Sequence, residues 1–150
     1  MSLQNKVMEQ LKNAMKAKDT VALESLRAIK SAILLAQTES GAKEKLAESE
    51  ELKLLQKLVK QRKDSAAVYK EQGRDDLAQP ELDQVTIIEQ FLPEALSEEE
   101  IEKVVVMTIE SVGASGMKDM GKVMGIASKK LAGSADNKTI AMLVKSLLQA

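Results

Sequence analysis

The sequence contains no cysteine, no histidine and no tryptophan, and its aromatic residues are limited to Tyr69 and Phe91. Without cysteine there can be no disulfide and no thiolate metal site, which suits a reducing compartment. Without histidine, the commonest general base and metal ligand is missing. We therefore predict no catalytic residue, no metal site and no cofactor, and we do not expect the chain alone to be an enzyme.

Two further classes of function find little support in the residues. The scarcity of aromatic side chains argues against recognition of single-stranded RNA by base stacking. The paired carboxylates Glu50–Glu51 and Asp75–Asp76 lie at predicted helix starts, where the helix dipole already favours acidic residues. No Walker-type phosphate loop is present, because Lys122 is followed by valine and no strand precedes Gly116.

Long apolar runs are also missing. The longest are far shorter than a membrane span, and Met1–Gln4 does not begin a signal peptide. We therefore predict no membrane association and a cytoplasmic location.

The charges nearly cancel over the whole chain, but not within its last third. The net charge is −1, so no global positive field attracts nucleic acid. Up to Pro93, fifteen Lys and Arg residues balance fifteen Asp and Glu residues, whereas from Val112 onward six lysines accompany only two aspartates. The positive charge is therefore concentrated in the C-terminal block.

Apolar residues recur at helical spacing, and no alternating strand pattern is visible, so we predict an all-α fold. Ser49 and Asp136 are expected N-caps of the third and seventh helices, and Ser40–Lys45 is expected to be a polar loop. Pro80 either kinks the fourth helix or occupies its first turn. The predicted helices cover approximately residues 2–17, 20–38, 50–72, 74–92, 98–111, 117–131 and a segment after Asp136.

Residues 91–97 are expected to join two helical blocks. Pro93 must end the preceding helix. Ser97 and Glu100 form a capping-box pattern, and Leu96 and Ile101 are placed for a hydrophobic staple. We predict an N-terminal four-helix subdomain, residues 1–93, and a C-terminal three-helix subdomain, residues 94–150.

The sixth predicted helix carries a basic face. Lys118, Lys122, Gly125 and Lys129 follow one another at spacings of four, three and four residues, so they share one side. Glycine beside lysine exposes backbone to which a phosphodiester chain could come close. The alternative is a solvated lysine face whose glycines let neighbouring helices pack closely.

A second basic run lies on the third helix and is more typical of a solvated helix surface, because acidic residues lie near it. It contains Lys57, Lys60, Arg62 and Lys63.

Several long, ordered motifs together resemble one known family: Leu58–Ala66, Gly73–Ala78, Glu89–Glu100 and Lys118–Gly125. Over nearly its whole length the chain resembles YqeY-like proteins of the GatB/YqeY group. The resemblance implies an all-α fold similar to the helical and tail regions of the B subunit of glutamyl/aspartyl-tRNA amidotransferase. In that enzyme the tail contacts tRNA, while amide transfer occurs in a separate domain. The resemblance thus implies that Lys118, Lys122 and Gly125 face RNA.

These observations lead to one hypothesis and two alternatives. The first is a non-catalytic tRNA-binding accessory protein that contacts backbone phosphates, with Lys129, Lys130 and Lys138 extending the surface. The second is a protein–protein adaptor that docks through helices three and four or through the methionine-rich side of helix six. The third is a component of glutamine-dependent transamidation, a carbon–nitrogen ligase reaction with glutamine as amido-N-donor. It would act within a complex that includes a protein partner from the amidotransferase or translation machinery.

Overall fold

A computed structural model describes residues 2–39 and 46–149, and the predicted loop Ser40–Lys45 lies outside them. The described residues form seven α-helices and a 3-10 turn, with no strand among them, so the predicted all-α class is confirmed. The helices are α1 (Leu3–Ala17), α2 (Thr20–Glu39), α3 (Glu48–Glu71), α4 (Asp75–Glu89), α5 (Glu98–Val112), α6 (Met120–Lys130) and α7 (Asn137–Gln149).

The chain divides into two compact units, Met1–Leu92 and Pro93–Ala150, here called the N unit and the C unit. Each has its own aliphatic core. In the N unit, Leu26, Ile29 and Ile88 are buried where α2 packs on α4, and α3 packs along α4. In the C unit, Val105 and Ile140 belong to a core to which all three helices contribute.

Local signals explain most helix ends. The Asp19 carboxylate accepts a hydrogen bond from the backbone N–H of Ala22 (3.1 Å), so it caps α2. The predicted cap of α3 is wrong, because the helix begins two residues earlier and Ser49 lies inside its first turn. The N-cap is Ala47, which makes no side-chain bond. Three glutamates in the first turn stabilise this start through the helix dipole.

Pro80 lies inside α4, which already begins at Asp75. The alternative in which proline occupies the first turn is therefore wrong. The preceding turn is held by the Arg74 carbonyl, which accepts from the N–H groups of Leu77 and Ala78 (both 3.1 Å). Pro80 has no N–H to continue this pattern toward the carbonyl of Asp76.

Two core predictions in the N unit are wrong. Met15 was expected on the inner face of α1, and the end of α2 was expected to be buried on several sides. Met15 is 57% exposed, and Leu34 and Leu35 are 51% and 60% exposed. Val7, Ala14 and Ile33 fill the inner faces of these helices, and the exposed residues lie on flanks that no described element covers.

The C unit follows its predicted caps closely. Ser97 Oγ accepts from the backbone N–H of Glu100 (3.2 Å), and Leu96 packs against the core that contains Ile101. Asp136 caps α7 by accepting from the N–H of Lys138 (3.1 Å). The sixth helix differs from the prediction, because its first residues, Met117–Asp119, form a 3-10 turn before α6 begins.

Buried hydroxyl groups in both units are satisfied within their own helices. Ser25 and Thr108 have no exposed surface, and each donates to the carbonyl four residues earlier, those of Val21 and Val104 (both 2.8 Å). Because these bonds are local, the two cores need no polar contact between helices at these positions.

Candidate nucleic-acid interface

The basic side of α6 and the preceding turn is one continuous exposed surface. Successive helical residues are about 100° apart, so its members lie within about a third of the circumference. Val123 and Ala127 are fully buried on the opposite side and hold α6 against the core. We call this surface the lysine–glycine face; it contains Lys118, Gly121, Lys122, Gly125 and Lys129, all exposed.

The glycines of this face do not serve packing. A Cβ added to Gly121 or Gly125 would have no described atom within 4 Å. The alternative in which these glycines let α5 or α7 approach closely is therefore not observed. Glycine inside a helix costs about 1 kcal/mol relative to alanine. Two exposed helical positions thus carry an unfavourable residue although nothing in the C unit requires it.

The start of α6 is not a strong anion site by itself. Asp119 lies there, and its carboxylate accepts from the backbone N–H of Ser115 (3.0 Å). This carboxylate places a negative charge beside the positive end of the helix dipole. Attraction for a phosphate therefore comes from the lysines along the side of α6.

The two remaining predicted residues lie near the other end of α6. Lys130 is exposed, but it is turned about 100° from Lys129 and so leaves the lysine–glycine face. Lys138 lies in the first turn of α7, after the six-residue connection 131–136. The exposed Lys145 follows Lys138 by two helical turns and lies on the same side of α7. The sequence prediction omitted Lys145, although this seven-residue spacing was its signal.

The second basic run is occupied by contacts within the N unit. Lys60 pairs with Asp64 (3.0 Å), and Lys63 pairs with Glu89 (3.3 Å).

Arg62 is half-buried, and its guanidinium donates to Gln84 Oε1 (2.8 Å) and to the Leu58 carbonyl (3.1 Å). Gln84 Nε2 in turn donates to a carboxylate oxygen of Glu24 (3.2 Å), so the chain of bonds joins α3, α4 and α2. Lys57 is exposed.

One ion pair in the N unit changes the pKa of its members. The Arg74 guanidinium donates two hydrogen bonds to the Asp76 carboxylate (2.9 and 3.0 Å). These bonds lower the pKa of Asp76 and raise the pKa of Arg74. Both side chains are solvent-exposed, so this pair contributes little to stability.

The described residues offer binding chemistry only. In ranges 2–39 and 46–149, no three Asp or Glu side chains converge in a way that could hold a metal ion. None of the helices in these ranges combines the length and the apolar character that a membrane span requires. The lysine–glycine face can attract phosphate groups and let them approach the helix backbone.

Comparison with known proteins gives relatives of two kinds. One is the "Altered inheritance of mitochondria protein 41, mitochondrial". The protein of that name from Clavispora lusitaniae is 42% identical over 96 residues, which are 62% of this chain and 55% of that protein. The one from Pyrenophora tritici-repentis is 31% identical over 127 residues, 83% of this chain and 68% of that protein. The chain thus spans about half to two thirds of the length of these relatives.

The other relative is a component of the glutamyl-tRNA(Gln) amidotransferase of Thermococcus gammatolerans. It is 47% identical over 58 residues, which are 36% of this chain but only 9% of that protein. The short shared segment supports the relationship to the amidotransferase tail.

The mitochondrial relatives contradict the predicted cytoplasmic location. The error arose because the composition of the chain bears on redox conditions and does not distinguish one reducing compartment from another. The family itself is settled by a match over residues 4–148 to the family described as "Yqey-like protein". The chain belongs to the YqeY-like family.

Proposed function

We propose that the chain is a non-catalytic accessory protein that binds tRNA through the phosphate backbone, using the lysine–glycine face of the C unit. Support comes from the segment shared with an amidotransferase component whose name includes tRNA(Gln). It also comes from the cluster of Lys118, Lys122 and Lys129 on one exposed surface.

The observation that carries the proposal is the exposure of Gly121 and Gly125 between these lysines. A solvated lysine face would be more stable with alanine at both positions. Open space over glycine instead lets a bulky anionic chain come close to the helix while neighbouring lysines neutralise its charge. A phosphodiester backbone has both required properties, because it is charged and continuous.

Contacts of this kind position a nucleic acid without reading its bases. All residues from Pro93 onward lack aromatic rings, so the C unit has no platform on which bases could stack. The expected affinity is therefore electrostatic and depends steeply on salt.

The test is fluorescence anisotropy of labelled unfractionated tRNA with the full chain over a series of salt concentrations. The variant Lys118→Ala/Lys122→Ala/Lys129→Ala removes three charges from the face. A matched control, Lys6→Ala/Lys16→Ala/Lys53→Ala, removes three exposed lysines of the N unit. Each lost phosphate contact lowers the slope of log K against log salt by about 0.7–0.9. We expect a slope about 2 units shallower for the face variant and a nearly unchanged slope for the control.

Equal losses in the two variants would contradict the proposal, because they would show attraction to lysine charge anywhere on the chain. Absence of tRNA binding by the unsubstituted chain at low salt would also overturn it. Circular dichroism of each variant checks that helix content is retained.

A further inference from the structure

The N unit has an open groove that the proposed tRNA contact does not use. It lies between α1 and α2, which are joined by the short turn Lys18–Asp19. The groove contains a cavity of about 240 Å³. Six residues line it: Gln4, Val7, Met8, Lys30, Ile33 and Leu34.

The groove is apolar and concave. Val7 and Ile33 are buried and form its floor. Met8 and Leu34 line it while remaining 38% and 51% exposed, and Met15 lies two helical turns beyond Met8 on the same flank of α1. Adjacent exposed apolar side chains around a recess are typical of a binding surface, whereas scattered single ones are ordinary. Methionine side chains also adapt readily to a partner's shape.

The edges of the groove are basic. Lys30 is the one charged residue among those that line the cavity. Lys12 follows Met8 by one helical turn, and Arg27 precedes Lys30 by one turn, so both exposed side chains extend the same edges.

The nearest acidic residues face elsewhere. Glu24 accepts a hydrogen bond from Gln84 of α4, and Glu9 is turned about 100° from Met8. The edges therefore attract negative charge without competition from these carboxylates.

We propose that the groove between α1 and α2 binds a short acidic amphipathic helix of a partner protein. An apolar stripe of that helix fills the recess over Val7 and Ile33, and carboxylates on its flanks pair with Lys12, Arg27 and Lys30. This is the helix-in-groove mode of recognition. The flank from Met8 to Met15 is about 10 Å long, which two turns of a partner helix would cover.

Other occupants fit the groove less well. A second copy in a symmetric dimer would place two basic edges against each other, at an electrostatic cost. An anionic membrane favours apolar side chains that project from a convex surface, whereas Val7 and Ile33 lie at the bottom of a recess. RNA phosphates would leave the apolar lining unused.

The test uses the full chain labelled with ¹³C at the methionine methyl groups. The probe is a 16-residue synthetic helical peptide with leucines at positions 3, 7, 10 and 14 and glutamates on both flanks (designed on the heptad spacing of about 3.6 residues per turn). A second peptide carries lysine in place of every glutamate. We expect the acidic peptide to shift the methyl signals of Met8 and Met15 and to leave those of Met107 and Met142 in the C unit unchanged.

Two pairs of variants make the test specific. Leu34→Ser removes an apolar contact in the groove, whereas Leu35→Ser removes an equally exposed leucine on the next side of α2. Lys30→Glu reverses a charge at the edge, and Lys6→Glu makes the same change away from it. We expect about tenfold weaker peptide binding or more for Leu34→Ser and Lys30→Glu. The two control variants should stay within about twofold of the unsubstituted chain.

Several results would overturn the proposal. Equal binding of the lysine-containing peptide would remove the role of the basic edges. Equal loss in Leu34→Ser and Leu35→Ser would remove the role of the groove. Self-association in sedimentation velocity that Leu34→Ser abolishes would identify a second copy as the occupant. Flotation with phosphatidylserine vesicles that depends on Leu34 would identify a membrane surface. None of these results depends on whether the C unit binds tRNA.

Discussion

Basic side chains are placed differently in the two units. In the N unit they are interleaved with an equal number of acidic ones, and ion pairs such as Lys60–Asp64 and Lys63–Glu89 join them. In the C unit six glutamates lie within residues 94–111, and six lysines follow within residues 118–145. Among residues 93–149 no ion pair between side chains is found. A basic run is therefore a poor guide to a binding surface unless one also knows which acidic groups lie beside it.

The units also differ in how their helices are held together. In the N unit a chain of hydrogen bonds from Arg62 through Gln84 to Glu24 crosses three helices. In the C unit the described contacts between helices are almost wholly aliphatic, around Val105, Val123 and Ile140. The lysines of α6 thus have no structural task within their unit and remain available to an external partner.

The largest predicted effect tests whether each core supports its own unit. Ile29→Ala and Ile140→Ala each remove a side chain with no exposed surface, one from each core. Such truncations cost about 2–5 kcal/mol of unfolding free energy. Urea denaturation measures the loss, and hydrogen exchange followed by mass spectrometry locates it. We expect faster exchange mainly in the unit that carries the substitution. Equal acceleration in both units would show that they unfold together and would weaken the comparison.

The sequence was sufficient for the helices and for most of their caps, because these depend on neighbouring residues. Ser97 and Glu100 predict the start of α5 through a local pattern, and the backbone bond is present. Ser49 failed because three glutamates nearby favour an earlier start of α3. Leu34 and Leu35 failed for another reason. An apolar run indicates that a helix could be buried on several sides, but the number of neighbours it obtains depends on the whole arrangement.

The second prediction concerns the stability of the N unit. Pro80 lies inside α4 on the exposed side, where it leaves the Asp76 carbonyl without its usual helical donor. Pro80→Ala should raise the unfolding free energy by up to about 3 kcal/mol, because an interior proline costs about that much. Urea denaturation measures the change. Gln79→Ala is the control at the neighbouring exposed position. It loses only the exposed hydrogen bond to Asp83 and should change stability slightly. A lower stability of Pro80→Ala would show that the proline ring has a packing role.

The third prediction separates stability from binding in the C unit. Gly121→Ala/Gly125→Ala should raise the unfolding free energy by about 1 kcal/mol per substitution, since both sites are helical and unobstructed. The same variant should bind tRNA more weakly, because two methyl groups hold the phosphate chain away from the helix. Thermal unfolding and anisotropy measure the two effects. Unchanged tRNA affinity would show that no backbone approaches these glycines.

Gly113→Ala is the matched control for this pair. Its added Cβ would also meet no atom within 4 Å, but its φ of +66° disfavours residues other than glycine. We expect it to lower the unfolding free energy by roughly 1 kcal/mol and to leave tRNA affinity unchanged. Opposite signs of stability change at Gly113 and at the α6 pair would show that backbone conformation, and not available space, distinguishes these glycines.

The candidate site was only partly predictable from the sequence. Lys118, Lys122, Gly125 and Lys129 share a face because of their spacing, and spacing is visible in the residues. Whether Gly125 touches a neighbouring helix is decided by packing, which spacing does not contain. The engagement of Arg62 with Gln84, 22 residues away, was equally invisible. The sequence could therefore propose two basic surfaces, and only the tertiary structure distinguishes them.

The smallest predicted effect tests that distinction directly. Lys57→Ala/Lys60→Ala/Lys63→Ala removes three charges from the second basic run and leaves Arg62 with its partners. Two of these lysines are paired with carboxylates on the surface, and such pairs contribute about 0–1 kcal/mol to stability. Their positive charge is already neutralised locally, so a phosphate would gain little from approaching them. We therefore expect the salt slope of tRNA binding to change by less than about one contact, against two to three for the lysine–glycine face. An equal decrease would show that α3 also contacts RNA, and the difference between the two units would then lie in their ion pairs alone and not in their function.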